Sequence, residues 1–433
     1  MSRVPNLLSL IRQRNPSLLW LGQLVSSIGD NFEYIALLAL AYKISGGSAL
    51  ATGGTMVSFT IPFVVVSIFS SVLVDRWDRR RTMLVADIVR GVIILIPPLL
   101  FLWGRLELWH LYLYSALYGA TTPFFNNANA ALLPSLVKPE EYQAANSLMQ
   151  TSIQIAGIIG LAMGGVVIAT IGIANAYFLD SFSFFFSAFT IFLIRIPRVI
   201  KTAVEPQPAG DNALPFLRSW WQDFREGLRF YRVERSLLWL LLIFSLVNFA
   251  FGPISFLLMP LAEQTLQVGV EGFGWILSVL SVGSLLGALL MGSIGSVRHR
   301  LAWIFPPILV IGTMTILLPL VRIFPFSLSF AFFIGFCLPV ANITSNTIFQ
   351  ERTPDNLRGR VFGTRNTIAQ GLTPLSMVLG GILADAVGVP LTFALCGALA
   401  LLAVVPGLFV PAIKSINLRP SADVNMRVEG DPQ

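Results

Sequence analysis

Twelve runs of membrane-spanning length limit what this chain can become. A span needs about 20 mostly apolar residues. Such runs cover residues 18–42, 49–73, 82–102, 110–133, 144–170, 174–196, 236–262, 272–296, 301–321, 326–349, 361–385 and 389–413. Lipid offers no hydrogen bonds to an open backbone, so runs of this kind cross as helices. An all-α polytopic membrane protein is expected. The charge content agrees: 12% of the 433 residues are charged, against about 25% in soluble proteins. Spans five and six, and spans eleven and twelve, are divided only by short Gly-containing turns.

The chain carries 29 Lys and Arg against 22 Asp and Glu, a net charge of +7. An excess of this sign could mark a nucleic-acid partner, but its placement follows topology. With the N-terminus in the cytoplasm, 24 of the 29 basic residues fall in cytoplasmic segments. Lys43, Arg105 and Arg322 fall on the opposite side, and Arg90 and Arg365 lie inside spans. This is the bias of short cytoplasmic loops toward Lys and Arg. It predicts both termini in the cytoplasm and no nucleic-acid partner. The apolar run after the basic N-terminus is too long for a cleavable signal, so none is expected.

The two halves repeat. "NNANAALLPSLVKPEEYQAANSLMQTSIQIAG" from Asn126 resembles "NITSNTIFQERTPDNLRGRVFGTRNTIAQGLT" from Asn342, and a shift of 215 residues puts Pro139 on Pro354 and Asn127 on Asn342. Two six-helix halves in the same orientation are parallel repeats, an architecture that places a substrate site between the halves. The expected organisation is a first half over 1–196, a cytoplasmic linker over 197–235, a second half over 236–413 and a tail over 414–433. The linker opens with the Pro-rich "VEPQPAGDNALP". In the stretch that follows, Leu217, Trp220, Phe224, Leu228 and Tyr231 recur at helical spacing, with Arg218, Arg225, Arg229 and Arg232 on another face. This pattern suits a basic amphipathic helix at the membrane interface, or equally a helical extension into span seven.

Charge concentrates at Asp75 to Arg81, six charges in seven positions, in a chain otherwise poor in it. The stretch reads Ser71-Val-Leu-Val-Asp75-Arg76-Trp77-Asp78-Arg79-Arg80-Arg81. With twelve spans in two parallel halves, it resembles the major facilitator superfamily, whose loop between spans two and three reads G-x-x-x-D-R-x-G-R-R. Ser71 and Asp78 stand where that pattern has glycine. "SSIGDNFEYIALLALAYKISGGSAL" in span one and "DFREGLRFYRVER" before span seven are similar to the macrolide-efflux-like branch of the drug:proton antiporters. "GLAMGG", Gly160 to Gly165, stands where many such exporters have a G-P-x-x-G-G kink, with Leu161 in place of the proline.

Topology alone accounts for Arg79, Arg80 and Arg81. It leaves Asp75 at the end of span two, and Asp87 and Arg90 inside span three, unexplained. Charges in the membrane are costly and are usually paired or functional. Asp87 and Arg90 are three apart and share a helix face. The family resemblance implies a cytoplasmic latch of Asp75, Arg76, Arg79, Arg80, Arg81, Asp87 and Arg90. In it, Asp75 meets the positive end of the span-eleven helix dipole, with Arg358 and Arg360 nearby and Arg365 further in.

Asp30 lies about 12 residues into span one, roughly 18 Å along the helix and near the middle of a hydrocarbon core of about 30 Å. Glu33 is one turn on and shares its face. Desolvation at this depth disfavours the charged carboxylate. Such a group can carry a proton, or neutralise a cation in exchange; the structural alternative is a protonated carboxyl bonded to neighbouring helices. Asp180 in span six is a further coupling candidate, nearer the outer end. No second-half span has an acidic residue at mid-depth. Asn126, Asn127, Asn129 and Asn342, with Gly160, Gly164 and Gly165, are read as packing and gating residues, because interhelical hydrogen bonds and close small-residue contacts are the commoner roles.

Cys337 and Cys396 both lie in apolar segments without metal-ligand spacing, and there are two histidines, His110 and His299. A disulfide framework, a zinc site and a histidine relay are not expected. No Gly-Lys pair occurs, so the phosphate loop of an ATP-driven pump is missing, as is an H-E-x-x-H motif for a membrane enzyme. No cofactor or metal is expected. With 33 Phe and 9 Trp, an aromatic cavity suits bulky amphiphiles better than sugars, which need dense hydrogen bonding. The resemblance implies a proton-coupled secondary exporter of amphiphilic drugs such as macrolides, located in the plasma (inner) membrane and working as a monomer. A dedicated exporter or flippase of an endogenous amphiphile, a siderophore or lysophospholipid, is the alternative among similar sequences.

Overall fold

The computed structural model describes residues 10–195, 213–294, 299–414 and 416. The Pro-rich linker as far as Asn212, Arg298 and the tail beyond Ile416 lie outside the described residues, as do the side chains of Asp75, Leu217, Arg218 and Trp220. The described residues form helices and turns, without a strand. The first helices are α1 (Arg14–Ile44), α2 (Ala49–Arg76), α3 (Arg79–Ile94), α4 (Ile96–Leu102), α5 (Leu108–Leu136), α6 (Tyr142–Ile171) and α7 (Ile173–Leu193). There follow α8 (Ala213–Val233), α9 (Arg235–Phe251), α10 (Ile254–Pro260), α11 (Gly269–Ile294), α12 (Phe305–Leu317), α13 (Phe324–Arg352), α14 (Arg358–Val387), α15 (Val389–Leu402), α16 (Val405–Phe409) and α17 (Pro411–Lys414).

Among the described residues, eleven helical segments are long and apolar enough to cross a membrane. They account for every expected span except the fourth. That position is held by α5, which has 29 residues; its Thr and Asn side chains make it less apolar than its neighbours. Proline interrupts several spans. Pro97 and Pro98 open α4 after the break at Leu95, and span twelve is divided into α15, α16 and α17, the last two carrying Pro406 and Pro411. Proline lacks the amide hydrogen that a continuous helix needs.

The turns between spans five and six and between eleven and twelve each depend on one glycine. Gly172 joins α6 to α7 at φ 90°, ψ 161°, and Gly388 joins α14 to α15 at φ 92°, ψ 153°. Only glycine enters this region without strain. The repeat extends to the preceding turns. Pro139–Glu141 and Asp355–Leu357 each form one turn of 3-10 helix, between α5 and α6 and between α13 and α14.

The chain divides into two compact units: one of residues up to Ala209 with Phe256–Ser281, the other of Gly210–Ser255 with Val282 onward. In the first, α1 packs on α6 and α7, α2 packs on α5, and α3 packs on α5 and α7. Glycines permit the closest of these approaches. A Cβ at Gly160 would stand 2.8 Å from Asn31 Cβ, one at Gly164 2.9 Å from Ile35 Cδ1, and one at Gly165 2.9 Å from the Val270 carbonyl.

In the second unit α12 packs on α13 and α15, and α9 on α14. The linker helix α8 is separate from α9: the backbone breaks at Glu234 (φ −93°, ψ 78°). Its apolar stripe is turned against α14. Gly227, Phe230 and Tyr231 are buried, and Phe224 and Leu228 half-buried. The Tyr231 hydroxyl donates to the Val361 carbonyl at 2.9 Å, and burial holds this phenol above its ordinary pKa, so it remains a donor. Arg360 pairs with Asp223 at 3.0 Å and Glu226 at 2.6 Å. The stripe expected at a lipid interface is thus used largely on protein, a distinction that helical periodicity does not carry.

Candidate functional site

Residues of the first unit line a partly open cavity of about 420 Å³ that reaches α1, α2, α3, α5 and α6. Its charged lining residues are Asp30, Glu33 and Arg90. The three come together because each lies well inside its span and because tyrosines of α5 face them. Tyr114 and Tyr118 are four apart, on one helix face, as Asp30 and Glu33 are on α1. The Tyr114 hydroxyl donates to Glu33 at 2.9 Å, and the Tyr118 hydroxyl donates to Asp30. The two phenol rings stack with centroids 6.0 Å apart. Glu33 is 5% exposed, and Tyr114 supplies the hydrogen bond its carboxyl group needs at that burial.

Arg90 pairs with Asp87, one turn back on α3. Phe125 and Phe184 hold its guanidinium by their ring faces, with centroids at 4.4 and 4.5 Å. Arg90 is also within electrostatic reach of Asp30. The sequence groups Asp87 and Arg90 with the cytoplasmic latch; the structure brings Arg90 to the cavity and ties Asp87 to it. Depth explains the difference. Arg90 is eleven residues past the start of α3 at Arg79, about three turns into the helix and away from the loop arginines.

The rest of the lining is neutral. Phe59, Phe125 and Tyr34 supply aromatic surface, and Gln23, Ser26 and Thr122 supply hydrogen-bonding groups. Asn126, read from sequence as a packing residue, also lines the cavity. Asn127 donates to Ser70 Oγ at 2.8 Å and joins α5 to α2. Asn129 Oδ1 is buried without a hydrogen-bond partner among the described residues, and Asn342 is exposed. Asp180 on α7 is fully buried behind the cavity. Its Oδ1 accepts from Ser183 Oγ at 3.1 Å. It packs against Gly29, the residue preceding Asp30, where any Cβ would collide with it.

The other expected latch residues are placed within their own units. Asp75 is in the last turn of α2, and Arg76 and Arg81 are exposed. Asp78 caps α3 by accepting from the Arg81 amide at 2.8 Å. A glycine there could not supply this side-chain cap. Arg79 donates to the Ala131 carbonyl at 2.9 Å and Arg80 to the Ile191 carbonyl at 3.0 Å. Both satisfy carbonyls near helix C-terminal ends, where a cation is favoured. Arg358 pairs with Asp355 at 2.8 Å. Arg365 is 8% exposed, donates to Asn346 and lies 4.5 Å over the Phe349 ring.

The sequence reading missed Tyr114 and Tyr118. Their signal was present as "YLYSALY", aromatic hydroxyls at helical spacing in a run that has to face protein.

The chain is similar along nearly its whole length to characterised efflux proteins. It is 26% identical over 414 residues to the multidrug efflux pump Tap of Mycolicibacterium fortuitum, covering 94% of this chain and 98% of the relative. It is 24% identical over 405 residues to macrolide efflux protein A of Streptococcus pyogenes, covering 93% and 97%. Among solved structures, a bacterial homologue of the iron transporter ferroportin in an inward-facing state superposes with a TM-score of 0.71 at 15% identity, covering 94% of this chain and 99% of that one. A bacterial homologue of the human lysosomal transporter Spinster gives 0.68 at 13%, covering 93% and 96%. These two likenesses show the fold. A family model described as Major Facilitator Superfamily matches residues 19–374, so that the twelve-span chain with its buried acidic cavity belongs to the major facilitator superfamily.

Proposed function

We propose that the protein is a secondary active exporter of amphiphilic small molecules, driven by proton entry. In this reading it works as a monomer in the plasma (inner) membrane with both termini in the cytoplasm. The observation that carries it is the cavity of about 420 Å³ that sets Asp30 and Glu33 among aromatic walls. A space of this size and apolar character suits a drug-sized molecule, and the efflux relatives support the direction of transport.

Asp30 is the proton carrier in this scheme. The Tyr118 hydroxyl and the positive charge of Arg90 stabilise its ionised form, while the low-dielectric cavity favours the neutral one. Proton and substrate then compete: a bound cationic or hydrogen-bonding amphiphile offsets the carboxylate charge, and protonation removes the charge that held it. Glu33, held by Tyr114, lies one turn deeper and modulates the same exchange.

The test is efflux from proteoliposomes under an imposed proton gradient. Cationic and neutral amphiphiles and a lysophospholipid are compared in wild type and Asp30→Asn. Gradient-driven movement of several drugs, abolished by Asp30→Asn, is expected. Movement of the lysophospholipid alone, or transport indifferent to both gradient and substitution, would overturn the reading in favour of a dedicated exporter or a facilitator with a structural Asp30.

A further inference from the structure

Three carboxyls and three tyrosines lie together in the first unit, and two of the pairs are made. Tyr118 donates to Asp30, and Tyr114 to Glu33. The remaining acid and the remaining phenol are both on α7. Asp180 and Tyr177 are three residues apart, so they share a helix face, and both are fully buried. Each has an unmade bond: Asp180 Oδ2 and the Tyr177 hydroxyl have no hydrogen-bond partner among the described residues. Buried polar atoms in native proteins are nearly always satisfied, and an orphan carboxylate oxygen in a dry interior is among the costliest to leave. Two such atoms on one face of one helix form a specific defect.

The surroundings supply Asp180 with one cation, Arg90, which is not its own partner. From α1 it faces Asp30 and Glu33, from α3 Arg90, and from α5 Tyr114 and Tyr118. The α4 helix, "IPPLLFL", offers no titratable group, and the one ionisable side chain of α6, Tyr142, stands at its far N-terminal end. Arg90, the single cation of the set, is bound to Asp87. The three phenols pack as one cluster between the cavity and this pocket: Tyr118 stacks on Tyr114, and Tyr114 meets Tyr177 edge-on with centroids 6.1 Å apart.

We propose that Asp180 is a second proton-binding group of the transport cycle, reached from the cavity through the Tyr177 phenol. Oδ2 is the atom that takes the proton. In the transfer, a protonated Glu33 gives its proton to the Tyr177 hydroxyl, which gives its own to Oδ2. Glu33 ends as a carboxylate, the phenol ends unchanged and Asp180 becomes a neutral acid. Neither hydrogen bond is made in this structure, so each forms only as the side chains turn toward one another. Release is the reverse. Each cycle then moves one more proton than Asp30 alone would. This rests on the exporter reading above and adds a carrier to it.

The test uses the full-length protein in lipid. Infrared difference spectra between acid and alkaline buffer are recorded for wild type, Asp180→Asn, Asp180→Glu and Tyr177→Phe. A protonated-carboxyl band that titrates in wild type, is lost in Asp180→Asn and is shifted in frequency in Asp180→Glu is expected. Tyr177→Phe keeps the band and slows its appearance after a pH jump, without loss of thermal stability. A band that never titrates identifies Asp180 as a fixed neutral acid and overturns the proposal, as does an unchanged spectrum in Asp180→Asn. If Asp180→Asn does not fold, the Asp180→Glu and Tyr177→Phe spectra decide the matter. The functional arm is proton-driven erythromycin flux. The proton-to-drug ratio should fall by about one per cycle in Asp180→Asn, as expected when an intramembrane proton site is removed. Wild-type flux that ignores the gradient sinks the exporter reading, whereas gradient-driven flux with an unchanged ratio in Asp180→Asn sinks this inference alone.

Discussion

Asp87 and Arg90 neutralise each other one turn apart on α3, and both are almost fully buried, with side-chain exposures of 1% and 5%. Removing one member leaves the other charge stranded. Arg90→Met should therefore destabilise the protein by about 3–5 kcal/mol, read as thermal unfolding in detergent. The double variant Asp87→Leu/Arg90→Met should recover much of that loss. Equal destabilisation by the single and double variants would show that the pair holds no net charge balance.

Glu33 and Tyr114 make a buried bond whose two ends respond differently to substitution. Tyr114→Phe leaves a carboxylate oxygen without its donor and should cost about 1–3 kcal/mol. Glu33→Gln still accepts from the phenol and should cost much less. Thermal unfolding of the two variants side by side checks this. A reversed order would mean that Tyr114 matters chiefly through its ring.

The fastening of α8 to α14 combines weak and strong contacts. Arg360 is 41% exposed, so Arg360→Ala should cost no more than about 1 kcal/mol, and less at high salt. Gly227 is different: a Cβ there would stand 2.8 Å from the Arg360 carbonyl and collide with Thr364. Gly227→Val should lift α8 away and raise amide hydrogen exchange throughout it. Unchanged exchange in this variant would show that α8 is held elsewhere.

Gly172 and Gly388 have closely similar backbone angles in corresponding turns. Gly172→Ala and Gly388→Ala should each lower stability by about 1–3 kcal/mol, the strain of a side chain in this region. Gly157, whose Cβ would meet open space inside α6, is the control, and Gly157→Ala should be neutral or stabilising. Similar melting temperatures for all three would remove the argument that these turns require glycine.

Much of the fold was legible because lipid permits so few solutions. Hydropathy located all twelve runs, each of which is held by helix in the structure, and the Asn126 and Asn342 stretches revealed the repeat. Span four shows where that signal weakens: one side of α5 packs on protein and carries Tyr, Thr and Asn, while Trp109, Leu113 and Leu117 on the other are exposed. Asp30 and Glu33 were identifiable by depth. Their partners were not, because Tyr114 lies 81 residues from Glu33 and Tyr118 lies 88 residues from Asp30. Charge pattern suggested that Arg90 belonged with the nearby arginines, although its position well inside span three already set it apart from the loop. The amphipathic stripe of α8 was visible in sequence, but which surface it covers depends on α14.

The glycine joints at Gly172 and Gly388 preserve a duplicated frame whose copies no longer share their chemistry. Mid-depth acids occur only in the first copy; the second keeps the turns and loses the charge. Mutations that accumulate in the second copy can therefore reshape its aromatic and small side chains without disturbing Asp30, Glu33 or Asp180. Inheritance can alter one copy while conserving the other, an evolutionary freedom that a chain with its ionisable groups spread over both halves would not have.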